Sequence, residues 1–222
     1  MQVGNARYLT ENDLPKTLPV FPLTGALLLP GAQLPLNIFE PRYLAMFDDA
    51  LASHRLIGMI QPALDASEAD PKPGLAKVGC IGRITSFGET GDGRYILSLT
   101  GVTRFRVLEE LSVMTPYRQV KIAPFLTDLE PVDEESVDRK GLLQAFRDYL
   151  DANSLEADWD NISRASNATL VNSMSMMSPY GPAEKQALLE APDLKTRAET
   201  LIAITEIALA KAGSDGGGAT LQ

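Results

Sequence analysis

Histidine and cysteine occur once each in these 222 residues, at His54 and Cys80, and tryptophan occurs once. A lone histidine removes H-E-x-x-H zinc sites and ordinary two-histidine metal sites. A lone cysteine cannot close an internal disulfide, so nothing points to an exported, oxidised protein. Long apolar runs are also missing. The longest, such as residues 26–30, span a few positions, against about 20 for a membrane-crossing helix. The N-terminal stretch MQVGNARYLTENDLPK has no apolar core segment, which argues against a secretory signal. There is no G-x-x-x-x-G-K-[ST] phosphate loop and no G-x-S-x-G nucleophile elbow. Gly88, Gly91 and Gly93 belong to a hairpin tip with no helix after it, which is not a phosphate cradle. The expectation is a cytoplasmic protein with no metal, no cofactor and no membrane partner.

An excess of positive charge is missing too. The net charge is −9, and its distribution is uneven: 12 Lys+Arg stand against 13 Asp+Glu in residues 1–128, and 8 against 16 in residues 129–222. Nucleic-acid binders draw most of their affinity from neutralising phosphates, so this balance makes nucleic acid an unlikely partner. Hydrophobic residues at 45% and charged residues at 22% are ordinary for a globular chain with a buried core.

What is present divides in two. The first part reads as β structure with one inserted helix. LPVFPL (18–23) and QLPLNIFE (33–40) are short, proline-flanked and apolar, and Leu34, Leu36 and Ile38 fall on one face at period 2. LIGMIQP (56–62) reads as a buried strand. Two long arms, residues 76–89 and 94–111, flank the turn TGDG, where glycine supplies positive φ. Gly101 inside the second arm predicts a bulge or sharp bend of the kind that curls a sheet into a barrel. YRQVKIAPF (117–125) is the last strand. Cys80, mid-strand in VGCIG, reads as a buried structural thiol. His54 sits at a helix end, where a positive side chain suits the dipole.

The later part is helical in period. Asp133 is a candidate N-cap, followed by Leu143, Phe146 and Leu150 at helical spacing. One segment is predicted over 160–177, a short helix over 181–191, and a last helix from Leu194 capped by Asp193. In that last helix Leu194, Ala198, Leu201, Thr205 and Ala208 share a face. The expected domains are a β-barrel over 1–128, an α-helical bundle over 129–212 and a flexible tail over 213–222, an α+β protein.

Residues 31–51, GAQLPLNIFEPRYLAMFDDAL, turn a strand into a helix. Glu40 precedes proline and is held extended, which ends the strand. Pro41 suits the first helical position, where its missing N–H costs nothing. Tyr43, Leu44, Phe47 and Leu51 then form an apolar stripe, with Asp48 and Asp49 toward water. Glu40 is positioned to accept from first-turn N–H groups, and Arg42 to reach back to a carboxylate. Glu40, Pro41 and Arg42 thus read as a structural corner.

LPVFPL, LLLPGAQLPLNIFEPRY, GCIGRITSF, LSLTGVTRFRV and EKQALLEAPDLKTRAETL together resemble the Lon protease N-terminal, or substrate-binding, domain family, over about residues 17–212. The resemblance implies a PUA-like β-barrel followed by an α-helical bundle. It also implies recognition of polypeptides, either unfolded or tagged substrates or a protein partner, by a stand-alone Lon-domain protein without the ATPase and peptidase modules, acting without enzymatic chemistry or ATP as a proteolysis adaptor or a holdase-like protein. The alternatives are an RNA-binding PUA-like module, for which Arg83, Arg94, Arg104, Arg106, Arg118 and Lys121 would need to gather on one face, and a hydrolase with an undetected carboxylate site.

Binding of unfolded chain needs exposed, adaptable apolar surface. Met174, Met176 and Met177 fall within four residues and are followed by Tyr180; flexible thioethers suit promiscuous surfaces. A second candidate is the junction between barrel and bundle near Phe39 and Tyr43. Oligomeric state is not legible.

Overall fold

The structure is a computed structural model that describes residues 1–67, 70 and 72–215. Its elements run β1 (Gln2–Val3), β2 (Ala6–Arg7), β3 (Thr17–Pro22), β4 (Gln33–Ile38), α1 (Pro41–Leu51), β5 (Leu56–Ile60), β6 (Val78–Glu89), β7 (Tyr95–Glu110), β8 (Gln119–Pro124), α2 (Arg139–Ala152), α3 (Trp159–Arg164), α4 (Asn167–Met177), α5 (Pro182–Glu190) and α6 (Leu194–Asp215). They form two compact units: Met1–Pro131 with Pro179–Leu189, and Val132–Ser178 with the chain from Glu190 onward. The protein is α+β with a C-terminal helical region. No described helix is long and apolar enough to cross a membrane.

The first unit is built on the long arm β7. Along one edge it pairs with β6; along the other, residues 95–100 pair with β4 and residues 105–110 with β8. The order β7-β6-β5-β3-β8 returns to β7, so five strands close a ring and β4 lies outside it on the first half of β7. All these pairings are antiparallel except β3 with β5.

The bend that allows this lies where the lone mid-strand glycine predicts it. Ile81 faces Thr103 while Gly82 faces Gly101, leaving Val102 bulged from the ladder. A Cβ on Gly101 would run into the Leu29 carbonyl, so only glycine lets the two backbones meet there. Inside the ring, Leu18, Val20, Leu56, Ile81, Val102, Phe105 and Val120 make one cluster. The turn after β6 carries Gly91 and Gly93 at φ 77° and 83°.

α1 buries Tyr43, Met46, Phe47 and Ala50, with Leu44 and Leu51 only half-buried. The buried stripe is thus narrower than the sequence suggests and recruits Met46. Phe47 packs edge-on to Phe87 and tilted against Tyr95. His54 differs from its expected role. It accepts from the Leu56 N–H through Nδ1 (3.1 Å), and burial lowers its pKa below the usual value. In that bond Nδ1 accepts from the backbone, which a nitrogen carrying a proton would not do. Cys80 is fully buried.

α5 is grouped with the barrel although it follows three helices of the other unit, and polar bonds explain why. Buried Gln61 donates to the Pro182 carbonyl (3.0 Å) and to Gln186 Oε1 (3.1 Å), and accepts from the Gly25 N–H (3.0 Å). Gln186 in turn donates to the Val78 carbonyl (3.1 Å). Arg104 donates to the Leu189 carbonyl (3.0 Å) while its guanidinium grips Asp128 (2.7 and 2.9 Å).

In the second unit, α2 packs on α6. The N-cap of α2 is Asp138, which accepts from the Gly141 N–H; Asp133 instead closes a turn by accepting from Glu135 and Ser136. The proline and acid-rich segment 130–137 thus stays non-helical longer than expected. α2 buries Leu142, Ala145 and Leu150, and Phe146 meets the Trp159 ring edge-on. The segment predicted as one helix over 160–177 breaks at Ala165, and Ser166 caps α4. Arg139 fills the break, donating to the carbonyls of Ile162, Ser163 and Ala165. α6 buries Leu194, Ala198, Leu201 and Thr205 on the expected face and is capped by Asp193, which accepts from the Thr196 N–H (2.7 Å). It continues to Asp215, so the expected flexible tail overlaps the helix at 213–215; its remainder lies outside the described residues.

Candidate functional site

α1 opens against the connection between β7 and β8, and a cleft of about 470 Å³ lies between them, entirely within the first unit. One wall is Arg42 and Tyr43; the other is residues 110–113 and 115–118; Pro22, Pro62, Lys72 and Pro73 complete it. Tyr43 is fixed from behind by Phe21, with ring centroids 4.3 Å apart. Arg42 lies over its face, 4.6 Å from the centroid. Burial raises the Tyr43 pKa, against which the Arg42 charge acts to lower it.

The far wall is held by charge. Arg118 forks onto Glu110 (Nε–Oε1 2.9 Å, Nη2–Oε2 2.6 Å) and donates to the Pro73 carbonyl (2.8 Å). Lys72 joins the same carboxylate at 3.1 Å. The bidentate fork with Arg118, helped by Lys72, pulls the Glu110 pKa below the usual range. Tyr117 donates to Asp49 on α1 (2.6 Å), and burial together with that carboxylate pushes its pKa up to about 12. The cleft therefore has an aromatic and proline lining between two rigid, charge-fastened walls.

The Glu40–Arg42 pair works differently from the expected cap. The Glu40 side chain makes no cap bond; its backbone carbonyl accepts from the Tyr43 and Leu44 N–H groups. Its carboxylate takes Arg42 Nε (2.9 Å) and Nη2 (2.8 Å) on one oxygen, in an exposed pair (51% and 42%). Pro41 is the first helical residue.

The other candidates are dispersed. Phe39 is 60% exposed, near Arg94, and does not line the cleft. Met174 is buried, Met176 half-buried and Met177 84% exposed, all in the second unit, whereas half-buried Tyr180 belongs to the first. The residues that sequence reasoning missed are Lys72, Glu110, Val113 and Tyr117, and Arg118 was named only for the RNA reading. Each is ordinary in its own segment, and only folding gathers them; TPYR (115–118) is the nearest thing to a local signal.

Four of the six basic residues of the RNA reading are engaged within the protein. Arg104 is buried on Asp128, Arg118 is forked onto Glu110, Arg94 is paired with Asp92, and Arg83 donates to Tyr8 and Asn5. No group of three or more His, Cys, Asp or Glu poised for a metal occurs among the described residues.

A closed barrel with an inserted helix, a helical C-terminal region and a proline-lined cleft define the class. Residues 17–206 match the ATP-dependent protease La (LON) substrate-binding domain, and the chain belongs to that family. It is 28% identical over 199 residues to Lon protease 2 of Myxococcus xanthus, covering 87% of this chain and 24% of that protein. It is 32% identical to the Lon protease of Parabacteroides distasonis over 198 residues, covering 85% of this chain and 23% of that one. Among solved structures, the Lon N-terminal domain protein from Xanthomonas campestris superposes with a TM-score of 0.61 at 26% identity, covering 84% of this chain and 97% of that one. The N-terminal domain of a Mycobacterium avium complex Lon protease shares the fold at 20% identity and a TM-score of 0.57, covering 86% and 98%. The chain spans about a quarter of the length of these full Lon proteases.

Proposed function

We propose that this protein recognises polypeptides without chemistry of its own, holding an extended, partly apolar segment in the cleft between Tyr43 and residues 110–118. The match of residues 17–206 to a substrate-binding domain carries the reading. The lining supports it: prolines and a braced tyrosine offer rigid apolar contact at low entropic cost, and the Arg118–Glu110–Lys72 cluster adds polar anchoring at the rim. In this reading the protein acts in the cytoplasm as a proteolysis adaptor, needs no ATP, and presents its client to a separate protease. Phe39 in the first unit and Met177 in the second, both exposed, are further candidate contacts, each within its own unit, as are the less exposed Met174, Met176 and Tyr180.

The test is fluorescence anisotropy with labelled β-casein, a chain without stable fold, and with a labelled single-stranded RNA of similar size. Saturable casein binding that drops several-fold in Tyr43→Ala and in Val113→Asp supports the cleft. Casein binding equal in wild type and both variants, or RNA binding that is tighter and steeply salt-dependent, refutes it.

A further inference from the structure

Strand β4 has one edge on β7 and, among the described residues, no strand on the other. The Gly101 N–H donates to the Ala32 carbonyl (2.9 Å), and Gln33 lies opposite Thr100. In an antiparallel ladder this fixes the alternation. Leu34, Leu36 and Ile38 turn their N–H and C=O groups to β7; Gln33, Pro35 and Asn37 turn theirs outward. β4 pairs with no other strand, and no hydrogen bond joins those outward groups to any described residue.

Exposed edges are normally defended by a charged side chain, a bulge, a covering loop or proline. Residues 33–39, QLPLNIF, carry no charge. Pro35 is the one defence, and it removes a single outward donor. The N–H groups of Gln33 and Asn37 and the carbonyls of Gln33, Pro35 and Asn37 remain to be met. Leu34 and Leu36, whose side chains share one face of the sheet, are only half-buried, and Phe39 and Ile96 stand 60% and 55% exposed. Such a ladder accepts one kind of ligand, an extended backbone, and its uncovered leucines favour one with apolar residues at alternate positions.

We infer that the outer edge of β4 captures an extended segment of a client polypeptide as an added strand, held by the outward groups of Gln33, Pro35 and Asn37. This site is separate from the cleft and shares with that reading only that the ligand is polypeptide. A client is the better occupant than a second copy: two copies would each bring Pro35 to the seam, so each edge would meet a partner that also lacks a donor, whereas a client strand can supply a full set.

The test is amide hydrogen exchange by NMR on the full chain, with and without β-casein, together with casein binding to Asn37→Pro and Pro35→Ala. The Gln33 and Asn37 amides, fast in the free protein, gain protection on casein binding, while those of Leu34, Leu36 and Ile38 are slow throughout. Asn37→Pro, which removes a donor unused in the free protein, weakens binding by about three-fold or more. Pro35→Ala restores a donor and tightens it by about two- to ten-fold, the equivalent of one net hydrogen bond. Pro35→Ala keeps the test decisive if Asn37→Pro does not fold. Casein binding that depends on Tyr43 but leaves the Gln33 and Asn37 amides fast and both edge variants unchanged overturns the edge and spares the cleft. Protection that rises with protein concentration without casein overturns it in favour of pairing between copies. No casein binding at all overturns both readings.

Discussion

Replacing Asp128 with alanine removes the carboxylate on which Arg104 rests. The pair is 3% and 9% exposed, and Asp128 accepts from Arg104 Nε (2.9 Å), Nη2 (2.7 Å) and the Arg104 backbone N–H (2.8 Å). In Asp128→Ala the guanidinium stays buried, because its bond to the Leu189 carbonyl still holds it in place. Stranding a buried charge in this way costs about 3–5 kcal/mol. For a protein of this size that is a fall in Tm of about 6–20 °C. Urea unfolding followed by circular dichroism measures it directly. The double variant Arg104→Met with Asp128→Leu removes both charges but leaves the backbone N–H at 104 and the Leu189 carbonyl without these partners, so it recovers part of the loss. The exposed Glu40–Arg42 pair is the internal control, and Glu40→Ala costs less than about 1 kcal/mol. The reasoning is refuted if Asp128→Ala costs less than about 1 kcal/mol, or if the double variant is worse than the single one.

Gly101→Ala forces a methyl group against the Leu29 carbonyl and destabilises by about 2–4 kcal/mol, read as a loss of Tm without change in the helical circular dichroism of the refolded fraction. Glu110 has its pKa depressed by Arg118 and Lys72, so its stabilising contribution is full above the ordinary carboxylate value and is lost as pH falls through the lower folded value. The stability advantage of wild type over Glu110→Gln therefore narrows between about pH 6 and pH 3; an advantage that widens over that range counts against the fork. Tyr117→Phe loses the bond to Asp49 and costs about 1.5–3 kcal/mol at neutral pH. Because the folded pKa of Tyr117 lies at about 12, above its ordinary value of 10.0, that cost is constant below the ordinary value and shrinks as pH rises toward the folded one. Absorbance titration of the tyrosines shows one fewer late-titrating phenol in the variant than in wild type.

The two ion pairs show why part of the protein was legible in advance and part was not. Glu40 and Arg42 are two residues apart, so sequence alone announces them, yet they meet in solvent and hold little. Arg104 and Asp128 are 24 residues apart with nothing local to link them, yet they are buried and tie α5 to the barrel. The same holds for the cleft. Tyr43 was visible because it follows a strand-to-helix corner, whereas Tyr117, Glu110 and Lys72 became a wall only once β7 and β8 were paired.

Local chemistry determined the elements. Pro41 ended a strand and began a helix, Gly91 and Gly93 made a turn, Asp193 capped α6, and period 2 and period 3.6 separated strands from helices. Even the bend at Gly101 was written locally, because a glycine inside an apolar strand has few other uses. Tertiary structure alone decided which edges closed and which stayed open. Five strands ring the core because β8 reaches back to the second half of β7, and that leaves β4 with an unmet edge. Hydrogen-bond partners and buried charges are set by approach between distant segments, and the sequence of either segment carries no record of the other.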